Sequence, residues 1–237
     1  MHDKKITICA CSSRLFIDKD KVIQIAAIMK DKGFKVDIEP DLCKKAIQSF
    51  PEMQQIASGT ILACYSRAVH SLFDWLDLKV DHVVDIRNQG ITEILEQLNV
   101  SDQGRDDLSL KDNYSGMVHA FPVETGTDAW YPVIDKKRCT ECGKCHDFCL
   151  FGVYTINEKH VRVEQPQKCK NNCPACARMC PSNAIIFPKY EKSPVNGGSK
   201  VEETYNPAEM DEMYRERLKM RLQQRRSGFS LLKKEKE

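Results

Sequence analysis

Residues 139–149 read CTECGKCHDFC, and residues 169–181 read CKNNCPACARMCP. The first run spaces Cys139, Cys142, Cys145 and Cys149 as C-x2-C-x2-C-x3-C. The second, through Cys169, Cys173, Cys176 and Cys180, widens the first gap by one residue and keeps the rest. Thiolates set two residues apart let one tight loop wrap three corners of an iron-sulfur cubane, so each triplet needs a fourth ligand from elsewhere in the fold. A pair of zinc sites is the competing reading, but zinc modules usually carry cysteines as two separated pairs. After each run the chain continues alike, LFGVYTI against PSNAIIF, with Gly152 and Asn183 in register where a left-handed turn residue is tolerated. The two runs therefore form an internal repeat.

Together they resemble the bacterial-type ferredoxin domain with two [4Fe-4S] clusters, over about residues 130–190; Leu150 stands where that pattern has a proline. In that arrangement the fourth cysteine of each run ligates the other cluster. The resemblance thus implies one [4Fe-4S] cluster on Cys139, Cys142, Cys145 and Cys180, and a second on Cys169, Cys173, Cys176 and Cys149. A region this small has little apolar core, so clusters held there would also stabilise its fold.

Upstream, the pattern changes to β-α units. KITIC (5–9) reads as a buried strand, and Val22, Ile25, Ile28 and Met29 share a helical face that Gly33 ends. Lys35 to Ile38 reads as a second strand, followed by a short helix from Leu42 to Ser49 with Asp41 as its cap. Residues 59–64 and 82–86 read as further strands, each followed by a helix, the first with Ser66 as its cap. The expected fold class is α/β: a small parallel-sheet N-terminal domain, a 2[4Fe-4S] ferredoxin-like domain and a C-terminal helical tail. The expected boundaries are 1–98 for the sheet domain, 99–129 for a linker, 130–190 for the ferredoxin-like domain and 191–237 for a linker with a docking helix. From Pro207 that helix would align Met210, Met213, Tyr214, Leu218 and Leu222. The patch FPVETGTDAWYPVI, with Trp130 and Tyr131, suggests that the end of the first linker is packed.

Cys9, Cys11, Cys43 and Cys64 all fall at carboxyl ends of expected strands, the edge where open parallel sheets place their binding crevice. The surrounding ICACSSR, PDLC and ILACYSR resemble the N-terminal iron-sulfur domain of the heterodisulfide reductase A subunit, over about residues 4–98. That resemblance implies a third [4Fe-4S] cluster on these four cysteines. Thiols merely packed at strand ends, a zinc site, or a redox-active dithiol at Cys9 and Cys11 are the alternatives. Arg14, Arg67 and Arg87 fall on the same edge, where they would either offset a cluster's negative charge or serve as ordinary surface arginines. His70 and His119 lack ligand spacing, and His146 would face solvent or tune the nearby cluster.

Twelve cysteines in a chain with no export signal read as metal ligands in a cytoplasmic protein. A formal charge of +2 implies no nucleic-acid partner. No run of about 18 apolar residues implies a membrane span. No Gly-x-Gly-x-x-Gly or Walker loop offers a nucleotide site. The functional expectation is an electron-transfer subunit rather than a catalytic one, relaying electrons to or from a partner oxidoreductase. By the second resemblance this would be a hetero-oligomer of anaerobic metabolism, with a flavin, tungsten or molybdenum enzyme as its neighbour. A thiol/disulfide reductase acting at the N-terminal cysteines, and a redox-sensing or assembly protein, are the rival expectations.

Overall fold

A computed structural model describes residues 5–100, 108–124 and 128–198, with isolated positions between 212 and 223. The sheet is built from β1 (Lys5–Cys9), β2 (Lys35–Glu39), β3 (Thr60–Ala63) and β4 (His82–Asp85). Its order is β2-β1-β3-β4, and every pairing is parallel. Helices α1 (Lys19–Asp31), α2 (Leu42–Gln48), α3 (Phe50–Ala57), α4 (Ser66–Trp75) and α5 (Ile91–Gln97) alternate with the strands.

The local chemistry explains most of these boundaries. Asp18 caps α1 by accepting from the Asp20 N–H at 2.9 Å, and Gly33 turns the chain out of it at φ +80°. Val22, Ile25 and Met29 are buried as expected, while Ile28 is half-buried. Asp41 caps α2 through Lys44 N–H. Ser66, expected as a cap, is instead the first residue of α4, and Tyr65 holds the cap position without a side-chain bond. Helix α3 was not expected; Ser49 precedes it and Pro51 lies in its first turn, where a missing N–H costs nothing.

The stretch expected as a linker contains α6 (Leu108–His119), which packs along α1 with Val118 fully buried. Its polar composition (KDNYSGMVH from Lys111) hides the helical period. Trp130 and Tyr131 are buried, as the aromatic patch suggested. Residues 189–198, expected to start a polar connection, are also packed: Asn196 is fully buried, and a Cβ on Gly197 would lie 2.7 Å from that of Ala68 in α4. The apolar stripe expected after Pro207 lies outside the described residues.

The second half comprises β5 (Val133–Ile134), α7 (Lys144–Phe148), β6 (Tyr154–Asn157), β7 (His160–Val163), α8 (Ala175–Met179) and β8 (Ile185–Ile186). β6 and β7 form a hairpin, and β5 pairs antiparallel with β8. Alternation along this short ribbon joins the two halves. The Val133–Ile186 pair belongs to the core of the parallel sheet, whereas the Ile134–Ile185 pair belongs to a second core with Val153, Tyr154, Val161 and Phe187. One ribbon is thus the shared wall of both cores. Trp75 at the end of α4 crosses the same seam, donating to the Val163 carbonyl at 2.8 Å and lying 5.4 Å from Tyr131. Among the described residues no helix is long and apolar enough to cross a membrane.

Candidate metal centres

The direction of chain progression reverses between β1 and β3, because β1 is followed by β2 on one side and β3 lies on the other. Such a switch point leaves a crevice at the carboxyl ends of the strands. Cys9 ends β1, Cys64 follows β3, and Cys43 enters from α2. Cys11 is brought over by a tight turn in which it takes φ +47°, while Ala10 and Ser12 N–H groups bind the Glu39 and Pro40 carbonyls. All four cysteines line one small pocket with Asp41 and Lys189.

The thiols there are hard to ionise by themselves. Burial, reinforced by Cys11 and Asp41, pushes Cys9 well above its ordinary value; burial and Asp41 do the same to Cys43. Cys11 is pushed up to about 11 by burial and Asp41, and Cys64 to about 12 by burial and Cys11. Four thiolates so close together in an apolar pocket need a cationic occupant, which an iron core supplies. The donor set therefore fits a cluster. Some preorganisation is present, since the Leu42 N–H lies 3.5 Å from Cys9 Sγ.

Lys189 was not singled out in the sequence, because it lies beyond the cysteine repeat and 148 residues from its carboxylate partner. It is 2% exposed and donates to Ser13 Oγ and Asp41 Oδ2. Ser13 Oγ in turn donates to Asp41 at 2.6 Å. Asp128 lies 3.9 Å from Lys189 and receives two bonds from Arg14, at 2.8 and 3.0 Å. Burial by itself would raise the Asp128 carboxyl, but Arg14 and Lys189 outweigh it and hold the group below the usual carboxylate range. Arg14 also reaches Asn172 in the second cysteine run at 2.8 Å and lies over Trp130.

In the second half, the repeat extends to the backbone. Glu141 and Asn172, each just before the second cysteine of its run, take φ +52° and +59°; Gly152 and Asn183 take +66° and +49°. The extra residue of the second run precedes this shared turn, so both triplets keep the same course. α7 and α8 then present the third cysteines, Cys145 and Cys176, and end at Cys149 and Cys180 in extended conformation.

The thiols meet across the repeat. Burial raises Cys139 to about 11 and Cys145 to about 12, and both lie close enough to Cys180 for its charge to add to this. Cys139 also lies near Cys142. Burial likewise raises Cys169 and Cys176 to about 12, with Cys173 and Cys149 adding to each. Cys145 also feels Cys176, so the two groupings adjoin. Tyr154 is buried beside this junction, and its hydroxyl donates to Cys176 Sγ at 3.0 Å. Cys142 is exposed.

Among the described residues no group of three or more His, Cys, Asp or Glu side chains is drawn to the spacing of a single-ion site. The thiols gather without closing on one point. Two histidines have carboxylate neighbours: His119 lies 3.8 Å from Asp20, and His146 pairs with Asp147 at the surface. Arg67 ties α4 to the second half through Asp135 at 2.7 Å and through the Asn183 carbonyl.

No protein-family profile matches the chain. Among curated proteins it is 36% identical over 123 residues to an uncharacterized ferredoxin of Methanocaldococcus jannaschii, a match spanning 50% of this chain and 78% of the relative. A second uncharacterized ferredoxin of that organism is 34% identical over 57 residues, 23% of this chain and 74% of the relative. These names carry the ferredoxin part of the resemblance and say nothing of heterodisulfide reductase.

Proposed function

Because the chain belongs to the ferredoxin family and is an iron-sulfur electron-transfer protein, we propose that it holds three [4Fe-4S] clusters and serves as the relay subunit of a larger oxidoreductase. Cys139, Cys142, Cys145 and Cys180 hold one cluster, Cys169, Cys173, Cys176 and Cys149 the second, and Cys9, Cys11, Cys43 and Cys64 the third. When bound, each cluster supplies reversible one-electron chemistry, with a potential set by charge, hydrogen bonds to sulfur and exposure.

One observation carries the third site: three buried thiols and the half-buried Cys64, from three separate segments, line a single pocket at the switch point of the sheet. Four thiols scattered at strand ends for packing alone have no reason to converge there. The crossed assignment in the ferredoxin half is supported by the neighbourhood of Cys180 to Cys139 and Cys145, and of Cys149 to Cys169 and Cys176.

The protein's own part is to hold and insulate. Apolar walls keep water from Cys9, Cys11 and Cys43, and the Lys189, Arg14 and Arg67 contacts fix the two halves in one arrangement. A thiol/disulfide reductase has less support, since it needs an accessible thiolate and these thiols are buried. The partner is a flavin, tungsten or molybdenum oxidoreductase in a hetero-oligomer of anaerobic metabolism, a reading supported by the likeness of ICACSSR, PDLC and ILACYSR to the heterodisulfide reductase A subunit.

Two variants of the anaerobically purified chain test the assignment. Cys64→Ser and Cys176→Ser should each lower bound iron by about four atoms per chain, from a total of about twelve. If Cys64→Ser left the iron content unchanged, the N-terminal assignment would be wrong.

A further inference from the structure

The cations that follow the strands, together with Lys189, have different occupations. Arg14 is engaged by Asp128 and Asn172, and Arg67 by Asp135 and the Asn183 carbonyl. Lys189, though buried, is matched by Asp41. Arg87 differs: no carboxylate pairs with its guanidinium among the described residues, and its Nη1 is buried without a hydrogen-bond partner.

Its position is fixed from several sides. The register of β3 and β4 sets Ala63 opposite Asp85, and the Ile86 N–H binds the Ala63 carbonyl at 2.8 Å, so Arg87 emerges beside Cys64 and Tyr65. The guanidinium lies 4.2 Å from the ring centroid of Phe16 and 5.1 Å from that of Tyr65, and Nη2 reaches the Glu191 carbonyl at 3.4 Å. Such faces orient a planar guanidinium and shield part of it from water. Its charge favours the ionised forms of both Cys11 and Cys64.

We infer that Arg87 is the unpaired counter-charge of the N-terminal four-cysteine site, a positioning residue whose buried N–H is directed to a sulfur of the cluster held there. This rests on the three-cluster reading. A cluster bound by four thiolates is negatively charged and gains one more negative charge on reduction, so a fixed cation beside it favours the reduced form. Lysine in its place keeps the charge but loses the planar stacking on two rings.

The test is an EPR-monitored redox titration with iron analysis of the anaerobically purified full chain, as wild type, Arg87→Met and Arg87→Lys. The N-terminal signal is identified by its loss in Cys64→Ser. In Arg87→Met the reduced-to-oxidised ratio of that cluster at a fixed potential should fall about tenfold, a midpoint lower by about 60 mV for one electron. Arg87→Lys should shift it less, and the two ferredoxin-half midpoints should stay in place. Loss of the N-terminal cluster from Arg87→Met with retention in Arg87→Lys also supports the inference. An unchanged midpoint in Arg87→Met, equal effects in both variants, or a joint shift of all three midpoints overturns it. A wild-type chain without a third cluster refutes the underlying reading and the inference with it.

Discussion

Replacing Lys189 with methionine preserves most of the side chain's volume and removes its charge. In the native protein Lys189 and Asp41 are 2% and 6% exposed, and the ammonium binds both the carboxylate and Ser13. Deleting one member of a buried ion pair leaves the other uncompensated, at a cost of about 3–5 kcal/mol. Asp41 keeps two other partners, Ser13 Oγ and the Lys44 N–H, which places the expected loss near the lower end, about 3 kcal/mol. For a chain of this length each kcal/mol moves the melting temperature by about 2–4 °C, so Lys189→Met should melt about 6–12 °C lower. The assay is anaerobic thermal unfolding by far-UV circular dichroism at one scan rate. Adding Asp41→Asn should recover a large part of the loss, because asparagine still caps α2 and carries no charge. A Lys189→Met chain melting within about 2 °C of wild type, or a double variant no better than the single one, would refute the reasoning.

Two further substitutions probe separate contacts. Tyr154→Phe removes the hydroxyl that donates to Cys176 Sγ, so the midpoint of one ferredoxin-half cluster should fall by roughly 20–60 mV, a factor of about 2–10 in its reduced-to-oxidised ratio. Redox titration checks this, and equal shifts in both ferredoxin-half clusters would contradict it. Gly197→Ala puts a Cβ against Ala68 at a residue with φ +94°, so it should destabilise the chain by about 1–3 kcal/mol. Thermal melting and faster proteolysis between residues 187 and 198 report the effect; a wild-type melt would show that the loop does not rest on α4.

The strands were legible because each is a short run of contiguous or alternating apolar residues bounded by turn or cap residues, and the repeat was legible because cluster ligation imposes fixed cysteine spacing. Even the left-handed positions Gly152 and Asn183 followed from aligning the two runs. The place of Cys9, Cys11, Cys43 and Cys64 at one sheet edge was read from the strand ends, and the structure sets all four along one pocket there. What local pattern could not reveal was long-range pairing. Lys189 has no signature that points to Asp41, and Arg14, Arg67 and Arg87 look equivalent until their partners are known. Helix α6 escaped because its stabilisation comes from packing on α1 rather than from a clear apolar stripe. The segment 189–198 read as polar and breaker-rich for the same reason: Ser193 and Asn196 satisfy one another and the turn backbone, which makes a polar sequence compact.

The central claim is three clusters on twelve cysteines, and the most direct measurement is iron and acid-labile sulfide per chain after anaerobic purification. Three [4Fe-4S] clusters give about twelve of each. Iron and sulfide near eight would mean that the N-terminal cysteines hold no cluster, and stoichiometric zinc in place of iron would contradict all three clusters.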